Sequence, residues 1–321
     1  MSGIGTYKGD SPGKKLARTI FWNEMAEKKI LEHDRRNTVL TLCGSGGDSR
    51  TLQGLGFPRG TVVSAELDRT ALDSYAEVAG LNPLRIIRGD ELVSTLVDGK
   101  SELVLHHDVR DTASLLQVAK VKADVIFLDF CSPLLQRNVQ CALRCAQRCL
   151  RPGGVLALGF MYGREQKSNK TGRLVSNLRN HVDNAPEQRV LAVEYMMRKE
   201  EKRFGLRLNY MMSVAYSSVT EGSKGVPMLY VGWKRVGSGM APLRGIPKGE
   251  PYCRIFGSFK EIETRLRDLV LDMSSRVGTE PVAAMFSLSP GTIAAWKAHR
   301  TRGSYGTDPS GFLPKTAEIT L

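Results

Sequence analysis

The chain has 321 residues, 41 % of them hydrophobic, enough for one large domain and a small one. Forty-six Lys and Arg against 33 Asp and Glu give a formal net charge of +13, which favours an anionic partner, nucleic acid first. The N-terminus has no apolar leader and no run reaches about 18 apolar residues, which speaks against a membrane protein and for a soluble one, cytoplasmic or nucleoid-associated, or nuclear in a eukaryote.

In chain order, residues 1–17 read as a flexible, Gly-, Ser- and Lys-rich N-terminus. A helix is expected over about 18–34, then a buried strand in NTVLTLC and a second in TVVSAEL (61–67). DRTALDSYAEVAG has helical spacing; PLRIIRGD reads as extended, and ELVSTLV as a short helix. ELVLHHD (102–108) is the third strand, TASLLQVAKV a helix, and ADVIFLDF (123–130) the fourth strand. LLQRNVQCALRCAQRCL is an amphipathic helix that stops at RPGG, where Pro152 and two glycines force a turn before the strand GVLALGF (154–160). Beyond it come a polar, basic segment, GREQKSNKTGRLVSNLRNHVDN, and two strand-like runs, LRLNYMMSVAYSS and VPMLYVGWKRVG. Strands alternating with helices predict a parallel sheet covered on both faces.

Residues 237–257 read as a Pro/Gly-rich linker to a separate helical domain at 258–302, followed by a flexible tail at 303–321. In that domain SFKEIETRLRDLVLDMSSRV forms one helix, with Ile262, Leu266, Leu269 and Val270 as its apolar stripe. Two shorter helices at 280–286 and 290–299 flank a turn, Ser289 and Pro290 fitting the cap and first position of the second. Two short helices about a tight turn suggest helix-turn-helix. Thr292, Ala295, Trp296, Lys297 and Arg300, with Arg302 trailing, would face DNA; the alternative is a three-helix cap with Trp296 packed inward.

The six cysteines include no CxxC pair, and Cys141, Cys145 and Cys149 recur every fourth residue along one helical face. They read as core packing and not as metal ligands, so no metal is expected.

TLCGSGGDSR (41–50) packs three glycines into the turn from first strand to helix, where backbone can approach a ligand closely. Glu66 ends the next strand about twenty residues on, where a carboxylate can accept from ribose hydroxyls. GxxxxGK[ST] and strict GxGxxG are both absent.

These elements together resemble the class I, Rossmann-like S-adenosylmethionine-dependent methyltransferases over residues 20–236. The resemblance implies a seven-stranded sheet with a reversed seventh strand and S-adenosyl-L-methionine as cofactor. It implies cofactor contacts from Cys43, Gly44, Ser45, Gly46, Gly47 and Asp48, from Glu66 on the ribose, and from Asp108, preferred to Asp90, beside the adenine amine. The LRPGG turn before the fifth strand fits the same pattern, while Thr41 stands where the family has an acid.

The resemblance also places the methyl acceptor at the end of the fourth strand, where DFCSP offers Asp129, Phe130, Cys131 and Pro133. Asp129 would orient an amino nitrogen of a base. Cys131 offers a different chemistry, thiolate addition to C6 of a pyrimidine, or else simply packs behind the cofactor. Consecutive His106 and His107 sit on a strand with one in and one out, and read as structural or as neighbours of the Asp108 contact. Arg164, Lys167, Lys170, Arg173 and Arg179 of the basic segment would contact phosphates or remain solvated. The expected function is therefore methyl transfer to nucleic acid, DNA before RNA, at a base amino group. The alternatives are a non-catalytic nucleic-acid-binding protein on a degenerate copy of the fold, and a small-molecule or protein methyltransferase.

Overall fold

The structure, a computed structural model, describes residues 10–43, 46–79, 91, 94, 102–163, 170–178, 185–237, 253–286 and 288–301. Its centre is one eight-stranded sheet. The short apolar runs Val39–Leu42 (β1), Val62–Ala65 (β2) and Leu103–Leu105 (β3) pair in parallel and are almost wholly buried, as strands covered on both faces must be. Ala123–Pro133 (β4) and Leu150–Met161 (β5) extend the parallel set on the other side of β1. Leu208–Ser217 (β6) and Pro227–Arg235 (β7) complete it, with β7 inserted antiparallel between β5 and β6. The order is β3-β2-β1-β4-β5-β7-β6-β8. Chain order reverses at β1, so a crevice opens beyond the carboxyl ends of β1 and β4, the usual ligand position in open α/β sheets. This strand order, with its single reversed strand, is the class I Rossmann methyltransferase architecture, with helices added at the C-terminus.

Alternation along β4 divides the core. Ile126 and Leu128 face one layer of helices, α4 (Val109–Val118), α5 (Gln136–Cys149) and α7 (Ala185–Glu201). Cys145 and Cys149 are fully buried in that layer, as packing residues. Val125 and Phe127 face the other layer, built from α1 (Pro12–Glu27), α8 (Phe259–Arg276), α9 (Thr279–Phe286) and α10 (Pro290–Thr301). Three further helices are α2 (Gly47–Gly54), α3 (Arg69–Ala79) and α6 (Lys170–Leu178).

Four expectations are corrected here. The first helix begins at Pro12 and ends at Glu27, so residues 12–17 are ordered: Ser11 caps it through the Lys14 amide, and Pro12 supplies the preset first position. The expected linker contains a strand, Cys253–Ile255 (β8), paired in parallel with β6, so among the described residues the sheet has eight strands and not seven. The 258–302 helices are not a separate domain. Ile262, Leu266, Val270, Phe286 and Ile293 share one buried cluster with Phe21, Trp22 and Met25 of α1 and Val125 of the sheet, because each apolar stripe finds its cover in the other. Finally, RPGG does not fully interrupt β5, which starts at Leu150; Gly153 takes φ +77° and Gly154 lies where a Cβ would come 2.7 Å from Asp124 O. Among the described residues no helix is long and apolar enough to cross a membrane.

Candidate functional site

A cleft of about 280 Å³ opens beyond the ends of β1, β2 and β4. It brings together seven of the expected residues, Cys43, Gly47, Asp48, Glu66, Asp108, Asp129 and Phe130, and an eighth, Cys131. Gly44 and Ser45 lie outside the described residues. Gly46 caps α2 at φ +70° with the Tyr75 ring against its Cα, so no side chain is tolerated there. Pro133 pairs with Met161 on β5 and does not line the cleft.

Glu66 follows β2. Its Oε1 accepts the amide N–H groups of Leu67 and Asp68, both at 2.9 Å, while Oε2 carries no bond among the described residues. Asp108 caps α4 by accepting the Arg110 amide at 2.8 Å, and pairs with the Arg110 guanidinium at 2.8 and 3.0 Å. That guanidinium holds its carboxyl below the usual range.

Asp129 stands at the other wall. Burial pushes its carboxyl up, but Lys14 Nζ at 2.9 Å from Oδ2, with Arg18 behind it, outweighs burial and holds it below the usual range. Tyr230 OH donates to the same oxygen at 3.2 Å, and the Cys131 amide and thiol donate to Oδ1 at 3.3 and 3.4 Å. Cys131 is itself in the left-handed region, φ +46°, and its thiol is pushed up to about 12 by burial and then by Asp129. A buried thiol of that kind is not a ready nucleophile. The site offers a charged, oriented carboxylate beside a half-buried aromatic, Phe130, which suits a polar acceptor better than covalent attack.

Lys14 and Arg18 were not expected at the site. They stand one helical turn apart on α1, which lies over the glycine turn. Arg18 pairs with Asp10 at 2.5 Å and approaches Asp48 at 3.1 Å, and its guanidinium fills the space a Gly47 side chain would take. Asp48 in turn accepts from Trp22 Nε1 at 2.9 Å and Thr41 Oγ1 at 3.4 Å, so this carboxylate, from the start of α2, serves the region where β1 itself offers only Thr41. The signal for Lys14 and Arg18 was Ser11-Pro12, a helix start that makes the following basic residues part of an ordered face. A second unexpected group, Glu102, is buried beneath the turn and accepts from Ser49 at 2.5 Å and Tyr75 at 2.7 Å, tying α2 and α3 to β3. No sequence pattern marked it.

His107 Nε2, buried and without a hydrogen bond among the described residues, belongs to a residue lining this cleft, whereas Arg18 Nε is ion-paired with Asp48 Oδ1 at 3.1 Å. With Glu66 Oε2, which carries no bond among the described residues, His107 Nε2 offers polar contacts suited to a ligand that carries hydroxyls and a hydrogen-bonding edge. Among the described residues no group of His, Cys, Asp and Glu could hold a metal.

The expected nucleic-acid residues are dispersed. Arg164, Lys167 and Arg302 lie outside the described residues, as do the side chains of Lys170 and Arg300 and the alternative Asp90. Arg173 is exposed on α6. In the C-terminal helices Thr292 shares a 2.8 Å hydrogen bond with Ser289, Lys297 Nζ donates to Thr279 at 3.0 Å, and Trp296 packs on the α1 cluster under the Arg267 guanidinium, 5.2 Å from the ring centre.

Comparison with solved structures gives similarity to the S-adenosylmethionine-dependent methyltransferase of Agrobacterium tumefaciens, at 14 % identity and TM-score 0.39 over 68 % of this chain and 62 % of that one. The chain is also similar to an rRNA methylase of Streptococcus thermophilus, at 11 % and 0.36 over 68 % and 95 %. A third is Aeropyrum pernix fibrillarin with natively bound S-adenosyl-L-methionine, at 13 % and 0.37 over 68 % and 74 %. These are likenesses of fold alone. No protein-family model and no curated protein matches the chain.

Proposed function

We propose that the protein is a methyltransferase that binds S-adenosyl-L-methionine and acts on nucleic acid, DNA before RNA, at a base amino group. The observation that carries this is the cleft at the switch point of the sheet, with an under-bonded carboxylate at the ribose end, Glu66, and a charged, fixed carboxylate, Asp129, at the acceptor end. The cofactor supplies an electrophilic methyl on sulfur. Glu66 would hold the ribose, and Asp108 or His107 the adenine edge. Asp129 would accept a hydrogen bond from the incoming amino group and keep its lone pair aligned, while Lys14 keeps Asp129 ionised. The net charge of +13 supports an anionic substrate.

The test is calorimetry with S-adenosylhomocysteine, followed by transfer of labelled methyl to duplex DNA and to RNA. Absence of cofactor binding at millimolar ligand would remove the enzymatic reading. A second reading has its own observation: Arg18 fills the space over Gly47 and Lys14 already pairs with Asp129, as in a copy of the fold that binds nucleic acid without turnover. Salt-dependent binding to DNA without cofactor affinity would select it.

A further inference from the structure

A second cleft, of about 300 Å³, lies between the start of α5 and helices α6 and α7. Gln136, the first residue of α5, stands three positions beyond the end of β4. Asn138 donates to Ser132 Oγ at 2.9 Å and fixes the intervening turn.

The cleft combines groups of different chemistry. Tyr195 lines it and is 55 % exposed, uncommon for a large aromatic on a helix that otherwise buries its apolar side chains in the core. Met196 and Leu174 give it an apolar floor, and Arg173 and Lys199 stand exposed at its rim. Glu200 is buried and accepts from Gln136 Nε2 at 2.9 Å, which fixes that amide and leaves Gln136 Oε1 as an acceptor. An exposed ring, an apolar floor, two cations and a fixed amide match one flat base with its phosphates better than they match a peptide or an apolar small molecule. The surrounding surface agrees, since Arg137, Arg144, Lys202 and Arg203 are all exposed on α5 or just after α7. By contrast, Lys297 and Trp296 of the C-terminal helices are engaged within the protein.

We infer that this cleft is a subsite for one unpaired nucleotide of the nucleic acid, its base stacked on Tyr195 and its phosphates on Arg173 and Lys199. The inference rests on the nucleic-acid reading above and makes it more specific: the strand meets the protein through α5, α6 and α7, unstacked, and not through the C-terminal helices.

The experiment titrates a fluorescent single-stranded DNA oligonucleotide with the full chain across a salt series, and S-adenosylhomocysteine with the same samples. Tyr195→Ala should weaken oligonucleotide binding roughly 5- to 150-fold, while Tyr195→Phe keeps it, because every base stacks on either ring. Arg173→Ala with Lys199→Ala should reduce the slope of log affinity against log salt by about 1.4, two single-strand phosphate contacts. Lys297→Ala should change neither. Tyr195 and the two cations are exposed, so these variants should melt like the parent. Wild-type affinity in Tyr195→Ala overturns the subsite, whatever the cations do. Loss confined to Lys297→Ala overturns it in favour of the C-terminal helices, and no oligonucleotide binding at all overturns it in favour of a protein ligand. Tyr195-dependent oligonucleotide binding without S-adenosylhomocysteine binding would instead sink the methyltransferase reading and keep the subsite.

Discussion

Lys14→Met isolates the ion pair with Asp129 at the wall of the cleft. The substitution keeps most of the apolar stem and deletes the ammonium that sits 2.9 Å from Asp129 Oδ2. Asp129 then remains buried with only neutral hydroxyl, amide and thiol donors close by, and Arg18 farther off. Stranding one partner of a buried pair costs about 3–5 kcal/mol, a large part of a typical stability of about 5–15 kcal/mol. The loss should depend on pH. In the parent, Asp129 titrates below its unfolded value, so its contribution is complete above about pH 4 and fades as pH falls through the lower folded value. In Lys14→Met burial becomes the leading influence and lifts the folded value above the unfolded one. Such a group loses its contribution as pH rises through that folded value. The stability gap between parent and variant should therefore widen from about pH 4 to about pH 7. Urea unfolding at both pH values, followed through tryptophan fluorescence, measures it. Asp129→Asn in the Lys14→Met background removes the stranded charge and should recover about 2 kcal/mol or more at neutral pH. A loss below about 1 kcal/mol that is the same at both pH values, or a double variant no more stable than the single, would show that Lys14 does not govern Asp129.

Glu66→Ala should weaken S-adenosylhomocysteine binding by about 1.5–3 kcal/mol, roughly 10- to 150-fold, with little loss of stability; unchanged affinity by calorimetry would mean the ribose lies elsewhere. Cys131→Ser should keep methyl transfer within about twofold, since a thiol titrating at about 12 is thiolate in only roughly one molecule in 10⁵ at neutral pH; abolished transfer would restore the covalent route. Deleting residues 258–321 should leave no folded sheet, because burial of Ile262, Leu266, Val270, Val282, Phe286 and Ile293 contributes about 1.5–3 kcal/mol each; a cooperative melt of the truncated chain by circular dichroism would contradict this.

The sheet was legible because its signals are local. Val125, Phe127 and their neighbours are apolar on both faces, and LRPGG marks a helix end and strand start within five residues. The positions of Glu66 and Asp129 in the cleft were legible for the same reason, as acids that close apolar runs. What failed was long-range. A Gly- and Lys-rich start looks loose until Ser11 and Pro12 are read as a cap, and even then nothing local says that Lys14 will meet a residue 115 positions away. β8 is three residues long, below the length at which alternation is visible, and its pairing with β6 is a tertiary event. The C-terminal stripe at Ile262, Leu266 and Val270 was visible, but its partner was not; amphipathic helices of one domain and of two look alike in sequence.

The position of α1 has a consequence for the order in which the protein is made. Its Lys14 and Arg18 finish the cleft, its Lys15 donates to the Phe286 carbonyl at 2.7 Å, and its apolar face is covered by α8. α1 rests on β6 and on Phe127 of the sheet, and the rest of its apolar surface is covered only once α8 has been made. A nascent chain arrested before Ser258 should bind neither S-adenosylhomocysteine nor resist protease at α1, whereas one released after Thr301 should do both. Closure of the cleft would then follow the synthesis of α8 and α9.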